Sequence, residues 1–239
     1  MSDRATTHLA DPETAGPGPA PHPAQAFAGR TFDAILFDLD GTLIDSTASV
    51  ERCWLRWAEE EQVHPDRLRG SHGMPAAEIV ARLLPPERVA ASAAKITHFE
   101  VTDTEGVVPR AGTLEALASL PAERVAIVTS CTRPLLDARA GAAGVIQPQV
   151  AVTIDDVERG KPDPAPFLLG ARLLGFEPSR CLVVEDAPAG LTAARAAGCA
   201  TLAVDGTHEL RLLDADAAVP DLTHVRFVTG PDGVSVQEL

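Results

Sequence analysis

The sequence predicts a doubly wound α/β fold: a parallel sheet flanked by helices, with a small all-helical domain inserted after the first strand. Three observations predict it. Apolar runs of four to six residues alternate with helix-period segments from residue 32 onward, the pattern of successive βαβ units. Several of those runs, such as Ala34–Phe37 and Leu182–Val184, are continuously apolar, as strands covered on both faces are. Between Arg52 and Gly106 nothing reads as a strand.

Residues 1–30 are rich in Ala, Pro, Thr and Gly without hydrophobic period, with five prolines from Pro12 to Pro23. They read as a disordered tail or a loosely attached arm, outside the fold. The core is assigned to 31–46 and 107–239, and the helical domain to 47–106. Ala34–Phe37 is the first strand. Asp38 and Asp40 follow at alternate positions, on one face if the strand stays regular. Gly41 breaks the strand, and Asp45 or Ser46 can cap the helix beyond. Thr47–Glu61 is amphipathic, with Val50, Trp54, Trp57 and Ala58 at helical spacing. A loop from His64 to Pro75 precedes helices over Pro75–Leu84 and Pro86 to about Thr104.

The alternation then resumes. Helices are expected at Leu114–Leu120, Pro134–Ala143, Pro164–Leu174 and Ala189–Ala197. Strands are expected at Arg124–Val128, Gln149–Ile154, Arg180–Val184 and Thr201–Val204. Val225–Val228 and Val234–Gln237, around Gly230-Pro231-Asp232-Gly233, read as a terminal hairpin.

Twenty Lys and Arg against 34 Asp and Glu give a formal charge of −14, which opposes general binding of nucleic acid or anionic membrane. An anionic substrate therefore needs locally arranged positive charge, and there are only two lysines, Lys95 and Lys161. Cys53, Cys131, Cys181 and Cys199 show no Cys-x-x-Cys spacing, so they read as reduced cytosolic thiols filling the core, Cys131 among them. No apolar run approaches a membrane span and the N-terminus lacks a signal-peptide core, so a cytoplasmic protein is expected.

Two carboxylates after a parallel strand sit where open α/β sheets bind ligands. The alternative is an Asp-Gly turn with solvated acids. Phe32 to Ser46 resembles the first motif of the haloacid dehalogenase superfamily, a hydrophobic strand followed by Asp-x-Asp-Gly-Thr. Val-Ala-Ile-Val-Thr-Ser, ending in Thr129-Ser130, resembles the second motif. Arg159-Gly160-Lys161-Pro162-Asp163-Pro164 resembles the third, and Leu182-Val183-Val184-Glu185-Asp186-Ala187-Pro188-Ala189-Gly190 the fourth. Each alone has a plainer reading: a helix cap for Thr129, a solvated lysine at a helix entry, or acids capping the helix from Ala189. Their joint order and spacing carry the resemblance over about residues 32–230.

The resemblance implies a Rossmann-like core and a phosphoryl-transfer site. Asp38 is the implied nucleophile, forming an aspartyl-phosphate. Asp40 is the acid that protonates the leaving oxygen and the base that then activates water. Mg²⁺ is the implied cofactor, held by Asp38, Glu185, Asp186 and the backbone carbonyl of Asp40. Lys161 supplies fixed positive charge, and the Thr129 hydroxyl with the Ser130 N–H hydrogen-bonds the phosphoryl group.

The second acid, Asp40, separates phosphotransferases of the family from its dehalogenases. Phosphonatase relatives use a lysine early in the helical insertion, where this chain has none before Lys95. β-Phosphoglucomutase relatives carry a histidine where this chain has Val50 and Glu51. The helical stretch resembles a cap that closes over the site. In it His72 is a candidate for a sugar hydroxyl and Glu105 for a polyol contact, with solvation the alternative for both. Arg133 is a candidate for substrate phosphate or a helix start. The expected activity is a Mg²⁺-dependent phosphatase for a small phosphorylated sugar or polyol, working as a monomer or weak dimer. The alternatives are a sugar phosphomutase of the β-phosphoglucomutase type and a non-catalytic binding protein on the same fold.

Overall fold

The computed structural model describes residues 20–69 and 74–239; His72 lies outside the described residues. In chain order the elements begin with a short helix α1 (Pro23–Ala26), β1 (Ala34–Phe37) and β2 (Ile44–Asp45). Three helices follow: α2 (Thr47–Glu61), α3 (Ala76–Leu83) and α4 (Pro86–Thr102). Then come β3 (Val108–Pro109), α5 (Thr113–Ala118), β4 (Val125–Val128), α6 (Arg133–Ala142), β5 (Val150–Val152) and α7 (Ala165–Leu174). The chain ends through β6 (Cys181–Glu185), α8 (Pro188–Ala196), β7 (Ala200–Val204), β8 (Ala217–Val219), β9 (Val225–Gly230) and β10 (Gly233–Glu238).

Six strands form one sheet in the order β5-β4-β1-β6-β7-β8, every pair parallel. The topology reverses at β1, which sits between β4 and β6, so their C-terminal ends open side by side at a switch point. All four residues of β1 are fully buried, because helices cover both faces of the sheet. One face packs Ile35, Phe37, Ile127, Leu182 and Val184 against α6 and the β9–β10 hairpin. The other packs Leu36, Val128 and Val183 against Phe167 and Ala171 of α7 and Ala193 and Ala194 of α8.

Helices α2, α3 and α4 have a core of their own around Trp54, Trp57, Ile79, Val80, Ile96 and Phe99. The Trp57 indole is fully buried and donates to Ser92 Oγ at 2.8 Å, so its polar tip is satisfied inside that layer. The chain leaves the sheet through β2 and returns through β3, and these two short strands pair antiparallel. The exit and the return are thereby fastened together.

Two expectations are corrected. The arm assigned as far as residue 30 joins the fold before that point. Pro21 O accepts from Ala218 N at 3.1 Å, and Phe27 is 3% exposed, edge-on to Phe32. Residues 1–19 lie outside the described residues. The sheet also has a strand beyond those expected, β8, three residues long and two of them alanine, too short for a periodic signal. Among the described residues no helix is long and apolar enough to cross a membrane.

Candidate active site

Asp38 follows β1, Thr129 follows β4 and Glu185 closes β6, so adjacent strand ends deliver all three to one place. Asp38 N donates to Val184 O at 3.0 Å, extending the ladder one residue past the strand and setting Asp38 beside Glu185. Lys161, in the loop before α7, is 6% exposed and reaches between them. Its Nζ donates to Asp38 Oδ1 at 2.6 Å and to Glu185 Oε1 at 2.9 Å.

The two acids closing β6 are held differently. Glu185 Oε2 accepts the N–H groups of Asp186 and Ala187, both at 2.7 Å, so each of its oxygens is committed. Asp186 Oδ2 accepts from Thr207 N at 2.7 Å and Thr207 Oγ1 at 2.6 Å. Its Oδ1 has one partner among the described residues, Thr42 Oγ1 at 3.5 Å, and is the freer oxygen. Glycine is required around them. Gly41 has φ +86°, and a Cβ there would stand 2.1 Å from Asp186 Oδ2. A Cβ on Gly190 would stand 1.6 Å from Glu185 Oε1.

Burial dominates the electrostatics. It pushes Asp38 up to about 7 and Asp186 up to about 6, and it also raises Glu185. Burial would lower Lys161, but the Asp38 and Glu185 charges outweigh it and hold the ammonium above its ordinary value. One oxygen each of Asp38, Glu185 and Asp186 lie within 4.8 Å of one another, a hard-oxygen donor set of the kind Mg²⁺ takes.

Asp40 reaches the site by another route. The strand ends at Phe37, so the period-2 argument does not apply; the chain turns instead, with Leu43 N and Ile44 N both bonded to Leu39 O. Ser46 Oγ donates to Asp40 Oδ1 at 2.6 Å, and the helix cap falls to Asp45, whose Oδ1 accepts from Thr47 N at 3.0 Å. Arg139 of α6 lies 2.9 Å from Asp40 Oδ1. Cys131 Sγ lies 2.9 Å from Asp40 Oδ2, and burial raises the thiol well above its ordinary value, so it remains a donor. The expectation that Cys131 only fills space is corrected.

These groups floor a cavity of about 540 Å³, which Thr129 and Ser130 also line. Its roof comes from the helical layer: Glu51, Trp54, Leu55, Met74, Ile79 and Glu100. Glu105 is not there. It is exposed beyond the end of α4, and its carbonyl accepts from Arg52. Glu100, on the inward face of α4, takes the place expected of it. Arg133 faces the Asp156 carboxylate at 3.1 Å and the Ala151 carbonyl at 2.6 Å, outside the cavity. The buried arginine at the site is Arg139, 4% exposed, which sequence reasoning passed over; exposed Arg69 also lines the cavity. Its signal was present: it falls three and four residues after Leu136 and Leu135, on the apolar face of α6.

The profile of the haloacid dehalogenase-like hydrolases matches residues 32–198, which include Asp38, Thr129, Lys161 and Glu185. The chain belongs to that family. It is 40% identical over 205 residues to hexitol phosphatase A of Escherichia coli (strain K12), covering 83% of this chain and 95% of that one. It is 36% identical over 211 residues to validoxylamine A 7'-phosphate phosphatase of Streptomyces hygroscopicus subsp. limoneus, covering 82% and 97%. Among solved structures, a hydrolase from Pseudomonas syringae superposes with a TM-score of 0.72 at 25% identity, covering 80% of this chain and 94% of that one.

Proposed function

We propose that the protein is a phosphatase that releases phosphate from a small phosphorylated sugar or polyol through an aspartyl-phosphate on Asp38. The observation that carries this is the buried centre in which Lys161 Nζ bridges Asp38 and Glu185, with Asp40 two residues further on. Asp38 offers a carboxylate at a strand end that opens into the cavity. Lys161 neutralises charge there and screens a phosphoryl group from the surrounding acids. In this reading the Thr129 hydroxyl and Ser130 N–H, both of residues that line the cavity, donate to the transferring oxygens. Asp40 gives a proton to the departing alkoxide and takes one from the water that follows.

The donor set fits Mg²⁺, which when bound supplies neutralisation and alignment of the phosphoryl oxygens. Asp38 and Asp186 are its side-chain ligands in this reading, with the Asp40 carbonyl. Glu185 is reassigned to holding Lys161 and the turn that follows β6, since both its oxygens are taken.

The roof supports a neutral leaving group. Among the described residues the buried cations at the cavity, Lys161 and Arg139, are both paired with carboxylates, and exposed Arg69 pairs with Asp66, so a second phosphate meets no uncommitted charge there. Trp54, Leu55, Met74 and Ile79 offer apolar walls, and Glu51 and Glu100 acceptors, as the carbon face and hydroxyls of a polyol require. The relatives' names, hexitol phosphatase and validoxylamine 7'-phosphate phosphatase, point to the same class of substrate. Helices α2–α4 act as the cap, and four free, buried cysteines suit the cytoplasm. The mutase alternative gains nothing, since Val50 and Glu51 line the cavity and no histidine does among the described residues.

The test is phosphate release from hexose, hexitol, glycerol and nucleotide monophosphates, with Mg²⁺ and with chelator, beside Asp38→Asn. Metal-dependent release from a sugar or polyol phosphate, abolished by Asp38→Asn, is expected. Release that survives the substitution would overturn the assignment of the nucleophile.

A further inference from the structure

We infer that Arg139 is the positioning residue of Asp40, and that Glu100 of the helical layer sets Arg139 in turn. The inference rests on the phosphatase reading above. Arg139 comes from α6, packed on the sheet, and Glu100 from α4, in the layer above. One guanidinium spans both, with NH1 2.9 Å from Asp40 Oδ1 and NH2 3.1 Å from Glu100 Oε1. NH1 also lies 3.4 Å from Cys131 Sγ, whose thiol sits on the other Asp40 oxygen. Ser46 Oγ completes the set on Oδ1. The Asp40 carboxylate is therefore gripped at both oxygens by three groups, Arg139 on α6 and Ser46 and Cys131 in the loops that follow β2 and β4.

A plainer reading is that the Arg139–Glu100 pair merely glues the layer to the sheet. Two observations argue against it. A buried ion pair is weak glue, because desolvating both charges cancels most of their attraction. Arg139 is nine-tenths buried or more, and its Nε is buried with no partner among the described residues. An arginine placed for cohesion would find a partner for that donor; one placed to aim two other nitrogens at Asp40 and Glu100 leaves it idle.

The grip serves the second half of the reaction above all. In that half, water attacks phosphorus, its proton passes to Asp40, and the bond to Asp38 breaks with the electron pair returning to the Asp38 carboxylate. Phosphate leaves, and Asp40 holds the proton that the next leaving alkoxide takes. The acceptor of the water proton must be a carboxylate held at a fixed angle, and the guanidinium 2.9 Å from Asp40 Oδ1 orients it.

The test uses p-nitrophenyl phosphate, whose phenolate departs without being protonated. Its kcat/KM reports transfer to Asp38, and its kcat includes the water step. For Arg139→Met we expect kcat to fall about thirtyfold, less than the roughly 100-fold to 10,000-fold that a general base contributes, because Asp40 itself remains. We expect kcat/KM to stay within about threefold, and acid quenching to trap the phosphorylated enzyme as the main steady-state species. Arg139→Lys, which keeps a cation, should recover part of kcat. Arg139→Met with Glu100→Gln, which leaves no unpaired buried carboxylate, should behave like Arg139→Met. Misfolding or a loosened layer lowers kcat and kcat/KM together; that result, or no change in either, overturns the inference. The phosphatase reading has its own readout in the same assay. It fails if wild type turns over no phosphomonoester, which removes both ideas, or if Asp38→Asn remains active.

Discussion

The floor and the roof of the cavity are built on opposite principles. Floor groups stand at the ends of β1, β4 and β6, where sheet register dictates their spacing, and nearly every polar atom has a partner. The roof rests on α2, α3 and α4, which pack around their own tryptophan core and join the sheet through the β2–β3 pair and the Arg139–Glu100 bridge. A floor fixed by register cannot drift without the sheet, as chemistry at a single phosphorus atom requires. A roof with its own core can be recut without touching the reaction.

The sharpest way to break that contrast is to disturb the floor alone. In Gly41→Ala the new methyl would stand 2.1 Å from Asp186 Oδ2, at a φ of +86° that L side chains resist. Asp186 must move by an ångström or more, and misplacement on that scale costs on the order of 100-fold in rate. We expect kcat to fall by at least about that factor. The near-ultraviolet circular dichroism of the Trp54–Trp57 pair should stay unchanged, because the roof core lies elsewhere. A loss of both signals together would show that the layers are one unit.

A smaller effect comes from the floor's own charge. Asp38 and Asp186 stand at about 7 and about 6 in the folded protein, above their ordinary values. A raised acid binds its proton more tightly when folded, so its contribution is present at low pH and is lost as pH rises through those values. The metal-free protein should therefore lose a few degrees of Tm as pH rises from the ordinary carboxylate value of 3.8 to about 7, and hold level above that. Added Mg²⁺ binds the ionised carboxylates, so its stabilisation should grow over the same interval. A Mg²⁺ shift that shrinks with rising pH would sink this account of the floor.

The contrast also explains which parts of the molecule are legible in the amino-acid sequence. Strand ends are marked by an apolar run followed by an abrupt polar residue, and that mark, taken with the joint order and spacing of the motifs, locates Asp38, Thr129 and Glu185. The helix over Thr47–Glu61 is bounded to the residue because Val50, Trp54, Trp57 and Ala58 keep strict helical spacing. Roof contacts depend on which helix face turns down, and that is set by tertiary packing. Glu100 and Glu105 look alike in an acidic run. Only the end of α4 at Thr102 separates an inward residue, one position after Phe99, from one in a solvated turn. Arg133 draws attention ahead of Arg139 because it stands near a motif, and nearness to a motif is a poorer guide than helical register. His72 falls in the stretch outside the described residues, so its expected role stands as a proposal.

The finest test cuts the roof and spares the floor. Glu51 is exposed on α2 yet borders the cavity, and it is the roof carboxylate that no ion pair engages among the described residues. Glu51→Gln keeps the shape and removes the charge. A hydrogen bond from a neutral hydroxyl to a charged acceptor contributes about 1.5–3 kcal/mol, and one to a neutral acceptor about 1 kcal/mol. KM for a polyol phosphate that donates to Glu51 should therefore rise roughly twofold to thirtyfold. Glycerol phosphate, too short to span the cavity, should change less, and kcat for p-nitrophenyl phosphate should hold. Equal changes across all three substrates would place Glu51 in the chemistry, and the division between floor and roof would fail there.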